Sequence, residues 1–140
     1  MAVVLNPYLH FDGNAEEALH FYEGVFGGEG TISRYGENPM PELKEEHKDL
    51  VMHGDLQVNG MRLMLSDSGP MGVPVAGSNF AIALSGSAED EATMTGYFEK
   101  LSEGGAVTVP LAKAGWGDTF GMLTDKFGIE WFVNIAGNQG

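Results

Sequence analysis

His53 and Asp55 stand two residues apart, with Arg62 a short way beyond. A histidine beside a carboxylate is the material of a general base and the group that orients it, although neighbouring polar residues on a sheet face are often only solvated. Arg62 carries a planar fork suited to a ligand carboxylate or phosphate, and equally suited to pairing with Asp55 or Gln57. Whether these groups meet depends on the strands that carry them. Asn59-Gly60, between two runs of strand-forming residues, is the residue pair of a two-residue type I′ hairpin turn. In such a hairpin opposed residues have numbers adding to 119: Val58 faces Met61 and Leu56 faces Leu63 on an apolar side. The other side pairs Gln57 with Arg62, Asp55 with Met64 and His53 with Ser66, so His53, Asp55, Arg62 and Met64 share one surface.

Composition narrows the chemistry. Among 140 residues, 43% hydrophobic and 19% charged describe an ordinary globular chain, with a length that suits one domain. The 21 glycines are about twice the usual share and point to sheets with many turns. A formal charge of -13 repels phosphate backbones and anionic membranes, so neither nucleic acid nor membrane is expected as a partner. Without cysteine there is no disulfide framework, thiol catalysis or thiolate metal site, which is compatible with the cytoplasm. No targeting signal or spanning segment is visible.

The elements repeat. Ala2–Phe11 reads as an extended stretch, Asp12-Gly13-Asn14 as a turn and helix N-cap, and Ala15 to Phe26 as a helix closed by Gly27-Gly28. Thr31–Tyr35 is a short strand, Gly36–Lys48 a loop, and Asp49–Val58 with Met61–Ser66 the hairpin. Asp67–Ser78, rich in Gly, Pro and Ser, reads as a linker. Then follow a strand over Asn79–Ser85, a helix from the Ser87/Asp90 capping box to about Glu103, a strand over Ala106–Leu111, and a hairpin of Thr119–Thr124 with Ile129–Ile135. Strand, helix and three strands thus occur twice. A shift of 77 lays Ala15 on Ala92, Phe21 on Phe98, and Gly27-Gly28 on Gly104-Gly105, the pattern of an internal duplication.

Two βαβββ units, with Asn6-Pro7-Tyr8-Leu9, Asn14-Ala15-Glu16-Glu17-Ala18, Phe21-Tyr22 and Val25-Phe26-Gly27, resemble the vicinal oxygen chelate superfamily of glyoxalases, extradiol dioxygenases and bleomycin-resistance proteins. Met52-His53, Leu63–Asp67, Trp116-Gly117, Asp125, Phe127-Gly128 and Trp131 are similar to its PhnB-like branch. The resemblance implies an α+β fold. Its two tandem modules, about 1–67 and 79–137, form cupped mixed sheets within one domain, commonly as a homodimer, with a ligand cavity in the cup. It places the superfamily's metal-ligand positions at Pro7, Met64, Ala81 and Phe132, none of which carries a usable donor atom.

A small organic ligand without a cofactor is therefore expected, held by His53, Asp55, Arg62, Met64, Trp116 and Phe132. The alternative is a lyase, isomerase or dioxygenase that uses a metal elsewhere or His53 as base. Methyl transfer to quinones, a label given to this branch, lacks a Gly-rich βαβ unit for a nucleotide-like methyl donor. Trp116, between two glycines, suits either a lid or a packed loop anchor. A four-residue turn at Asp125–Gly128 would put Ile129, Trp131 and Val133 on a core face with Phe120, Met122 and Thr124. Glu130, Phe132 and Asn134 would then line the cup beside Gly121, Asn79, Ala81 and Ala83. Alternation from Pro7 turns His10 to the opposite face, a structural position, and Glu42, Glu45, Glu46, Lys44, His47, Lys48 and His20 read as solvated.

Overall fold

A computed structural model describes residues 3–37, 43–69, 74, 77 and 79–137. The chain forms two compact units, Met1–Val75 and Ala76–Gly140. In the first unit, β1 (Tyr8–Phe11), α1 (Ala15–Phe26), β2 (Thr31–Arg34), β3 (Val51–Val58) and β4 (Met61–Asp67) give a sheet of order β1-β4-β3-β2. In the second, β5 (Ile82–Gly86), α2 (Glu91–Ser102), β6 (Ala106–Lys113), β7 (Thr119–Thr124) and β8 (Glu130–Ile135) give β5-β8-β7-β6. Each sheet is mixed: the first strand runs parallel to the last, and the rest are antiparallel. Identical strand order in both units is the structural form of the repeated βαβββ pattern.

In unit 1 the core lies between α1 and one sheet face. Ala15, Ala18, Leu19, Tyr22, Val25 and Phe26 recur at helical spacing and are buried, matched by Leu9, Phe11, Leu56, Leu63 and Leu65. The N-cap position is Asn14 as expected, but its side chain makes no capping bond. Asp67, fully buried at the end of β4, does that work instead, accepting N–H bonds from Gly13 (2.8 Å) and Ala15 (3.0 Å) with one oxygen and from Val51 (3.0 Å) with the other. Its backbone carbonyl takes the Tyr35 hydroxyl at 2.8 Å. A carboxylate at a helix N-terminus is favoured by the orphan N–H groups and the macrodipole. Asp67 therefore belongs to the fold of the first unit and not to a linker; of the stretch that follows, residues 70–73, 75, 76 and 78 lie outside those described, as do Ala2 and Glu42. The first strand is shorter than expected: residues 3–7 lie outside strand structure and β1 begins at Tyr8.

Unit 2 is built alike. Met94, Phe98 and Leu101 of α2 are buried with Leu123, Trp131, Val133 and Ile135 of the sheet. The Asp90 carboxylate accepts the Ser87 N–H at 3.0 Å ahead of α2, as the capping-box spacing predicts. Pro110 sits in β6, an edge strand, where a missing N–H is tolerated. No described helix is long and apolar enough to cross a membrane.

Candidate functional site

The β3–β4 hairpin has the register the Asn-Gly pair predicts: Val58 opposite Met61, Leu56 opposite Leu63, Gln57 opposite Arg62, and Asp55 opposite Met64. Asn59 and Gly60 have φ of 50° and 79°, the two positive values a type I′ turn requires. The sheet face away from α1 therefore carries His53, Asp55, Gln57, Arg62, Met64 and Ser66. Arg62 grips Asp55 with both arms of its fork, Nε to Oδ1 at 3.1 Å and a terminal nitrogen to Oδ2 at 2.9 Å. Gln57 Nε2 donates to the same Oδ2 at 3.2 Å. The Arg62 bonds, and then that of Gln57, hold the Asp55 carboxyl below its ordinary range; Asp55 in turn raises Arg62. Of the two uses open to Arg62, the pair with Asp55 is the one formed.

His53 turns to a different partner. Its Nδ1 lies 3.5 Å from the Tyr8 hydroxyl, and the two rings meet edge-on at 5.8 Å. Asp55 has both oxygens on Arg62 and Gln57, so the arrangement of base and orienting carboxylate is not assembled here. Tyr8 is paired with Met64, and His10 with Ser66. His10 thus shares the face of His53 and Met64, against the expectation that alternation would turn it away. It stacks on Tyr8 at 4.8 Å, and its Nδ1 lies 3.1 Å from Ser66 Oγ. Pro7 precedes the strand and gives its carbonyl to the Met64 N–H at 3.2 Å; the residue standing beside Met64 is Tyr8. The expected phase was wrong by one residue because Pro7 was counted into β1.

The β7–β8 hairpin also departs from expectation by one. Leu123 pairs with Trp131, Met122 with Phe132, and Phe120 with Asn134, so five residues, not four, separate Thr124 from its partner Glu130. The extra residue is absorbed by Gly128, at φ 86°, whose N–H bonds to the Asp125 carbonyl at 2.9 Å while the Asp125 N–H bonds to the Ile129 carbonyl at 2.8 Å. This is a type I turn followed by a glycine bulge. The buried Asp125 carboxylate fixes it, accepting from the N–H groups of Phe127 (2.8 Å) and Ile129 (3.1 Å) and from the Trp131 indole (2.9 Å). Phe120, Met122 and Thr124 accordingly leave the core side and join Glu130, Phe132 and Asn134. Gly121 moves the other way: a side chain there would meet the Phe98 ring of α2 and the Leu111 backbone at 2.9 Å. Ala83, not Ala81, stands beside Phe132.

The face of sheet 2 away from α2 thus presents an aromatic row. Trp116, 68% exposed, stacks on Phe120 at 5.5 Å, and Phe120 lies 5.9 Å from Phe132. The Trp116 loop is tied down by Asp118, which accepts the Gly137 N–H at 2.9 Å and Asn134 Nδ2 at 3.2 Å. Gly137, then Asn134, with a smaller contribution from Trp116, keep the Asp118 carboxyl below its usual value. Phe120 and Met122 were missed as face residues; the Asp125-x-x-Gly128 spacing was the signal for the bulge that puts them there. Among the described residues, no three His, Asp or Glu side chains gather as a metal site would require.

Residues 4–134 match the family described as 3-demethylubiquinone-9 3-methyltransferase. The crystal structure of protein PA1353 from Pseudomonas aeruginosa superposes with a TM-score of 0.84 at 34% identity, covering 98% of this chain and 100% of that one. A putative 3-demethylubiquinone-9 3-methyltransferase, PhnB protein, from Bacillus cereus gives 0.67 at 31% identity over 96% and 100%. The fold, at 13% identity, is shared with the fosfomycin resistance protein FosX from Mesorhizobium loti, with a TM-score of 0.59 over 99% and 96%.

Proposed function

The chain belongs to this family, the PhnB-like branch of the vicinal oxygen chelate superfamily, and on that premise we propose that it binds a small organic ligand on the sheet faces turned away from its helices, without metal at the superfamily's usual place. The observation that carries the reading is what occupies paired strand positions. Tyr8 stands beside Met64 in unit 1 and Ala83 beside Phe132 in unit 2. Aromatic rings, a thioether and a methyl group offer contact area to carbon, and the Tyr8 hydroxyl, beside His53 Nδ1, is the one oxygen these four side chains carry, short of the three or four donors a metal site needs. The stacked Trp116, Phe120 and Phe132 extend that area, with Trp116 left largely to solvent. His53 and Arg62 add polar groups that orient a ligand, Arg62 through the side of the guanidinium not used on Asp55. Sequestration then needs no reacting group.

Methyl transfer, which the family's description names, calls for a cradle for a nucleotide-like donor. In this chain the N-terminus of α1, where such a donor's anionic or hydroxyl groups would be received, is filled by Asp67. The binding reading also carries a homodimer in the cytoplasm, as the resemblance implies. Native mass spectrometry of the purified protein tests the main claim and the oligomeric state together. Expected is a dimer that carries substoichiometric organic adducts and is unchanged in mass by chelators. A stoichiometric, tightly held divalent metal overturns it, as does a thermal-shift scan in which metals stabilise and organic compounds do not.

A further inference from the structure

One oxygen of unit 2 is out of keeping with its surroundings. Glu130 Oε2 is shut off from solvent and has no hydrogen-bond partner among the described residues. On the sheet Glu130 opposes Thr124 of β7, and the next residue on its own side of β8 is Phe132. A buried carboxylate oxygen left unpaired is expensive and rare, and a donor that arrives from outside the fold would satisfy it. Next to it begins the aromatic row, Phe132 to Phe120 to Trp116. Two residues along a strand are about 7 Å apart, the distance from the edge of a ring stacked on Phe132 to an amino group carried on that ring system. The chain's formal charge of -13 draws cations to the surface and repels anions.

We infer that the ligand of this face is a flat aromatic cation, its ring system laid on Phe132 and Phe120 and its ammonium or amidinium N–H directed at Glu130. The inference rests on the ligand-binding reading above and specifies its chemistry. Carboxylate and ring faces act together, since the negative face of an aromatic ring attracts the same cation.

The test uses two probes of nearly the same shape: 9-aminoacridine, a cation at pH 8, and acridine, neutral there. Binding is read by quenching of Trp116, with Trp116→Phe to assign the signal, on protein whose fold is checked by circular dichroism. The cation is expected to bind at least about tenfold tighter than acridine, and Glu130→Gln, which keeps shape and removes charge, is expected to erase that preference. Phe132→Ala should weaken both. Equal affinity for the two probes, or a preference that survives in Glu130→Gln, overturns the assignment of charge and leaves the apolar binding face standing. Failure of the folded protein to bind either probe overturns both.

Discussion

The two sheets have the same strand order and present different surfaces. Sheet 1 carries, on the face away from α1, a polar array in which Arg62 clamps Asp55, Gln57 braces it, and two histidines flank Tyr8. Sheet 2 shows rings and a thioether, with one carboxylate among them. The buried aspartates differ as well. Asp67 ties residues 13, 15 and 51 to the end of β4, closing loops of 16 to 54 residues, whereas the Phe127, Ile129 and Trp131 N–H groups that donate to the Asp125 carboxylate lie within six positions of it. The two units thus share a strand order and differ both in the face turned away from the helix and in the means of holding it together. Long-range ties matter for whether a unit closes at all; local ones set the register of a single hairpin.

The strongest way to break this contrast is to remove each aspartate. Asp67→Ala leaves three backbone N–H groups without an acceptor at the start of α1 and β3. It should cost about 3–5 kcal/mol and lower Tm on the order of 10 °C or more in a thermal melt. Asp125→Ala frees two turn N–H groups that water can reach and one buried indole, for about 2 kcal/mol. Equal losses would mean that sequence separation of the partners is immaterial. Next is Gly128→Ala, which asks an L side chain to hold φ near 86°; about 1 kcal/mol is expected, with cross-strand NMR contacts between Leu123 and Trp131 weakened.

Arg62→Ala should do less again, because the pair is partly exposed. Its signature is pH dependence. Asp55 has a lowered carboxyl in the folded state, so its contribution is present above the ordinary carboxylate range and is lost as pH falls through the folded value. The Tm gap between wild type and Arg62→Ala should therefore be widest near neutrality and close below about pH 4. A gap that widens in acid would have the wrong sign. In α1, His20 is raised by its bond to Glu23 and next by that carboxylate's charge, so its small contribution is present at acidic pH and fades as pH rises through the folded value. Replacing His20 by Gln should change Tm by a degree or two at pH 5 and by nothing measurable at pH 9.

Local chemistry accounts for what could be read from the chain directly. Asn59-Gly60 dictates its turn, the turn dictates the register, and the register groups His53, Asp55, Arg62 and Met64. The paired glycines that close the helices are equally local. The misplaced residues each depended on something a pattern of apolar positions does not encode. Phe120 and Met122 changed sides because one glycine adds a residue to a turn. Tyr8 and His10 could be phased only by knowing that β1 begins after Pro7, which is decided by its pairing with β4. Asp67 looked like the start of a linker because all its backbone donors but one lie more than fifty residues upstream.

The bulge at Gly128 has a further consequence. Because strand side chains alternate, the length of that one turn decides which half of β7 is shown outward: with Gly128 in place Phe120 and Met122 are displayed, and a turn one residue shorter would display Gly121 and Leu123 against the same β8. A deletion there acts as a toggle that exchanges a ring-rich lining for a nearly bare aliphatic one without altering any lining residue. Changing turn length, more than changing side chains, is the economical route by which copies of this scaffold could acquire new tenants.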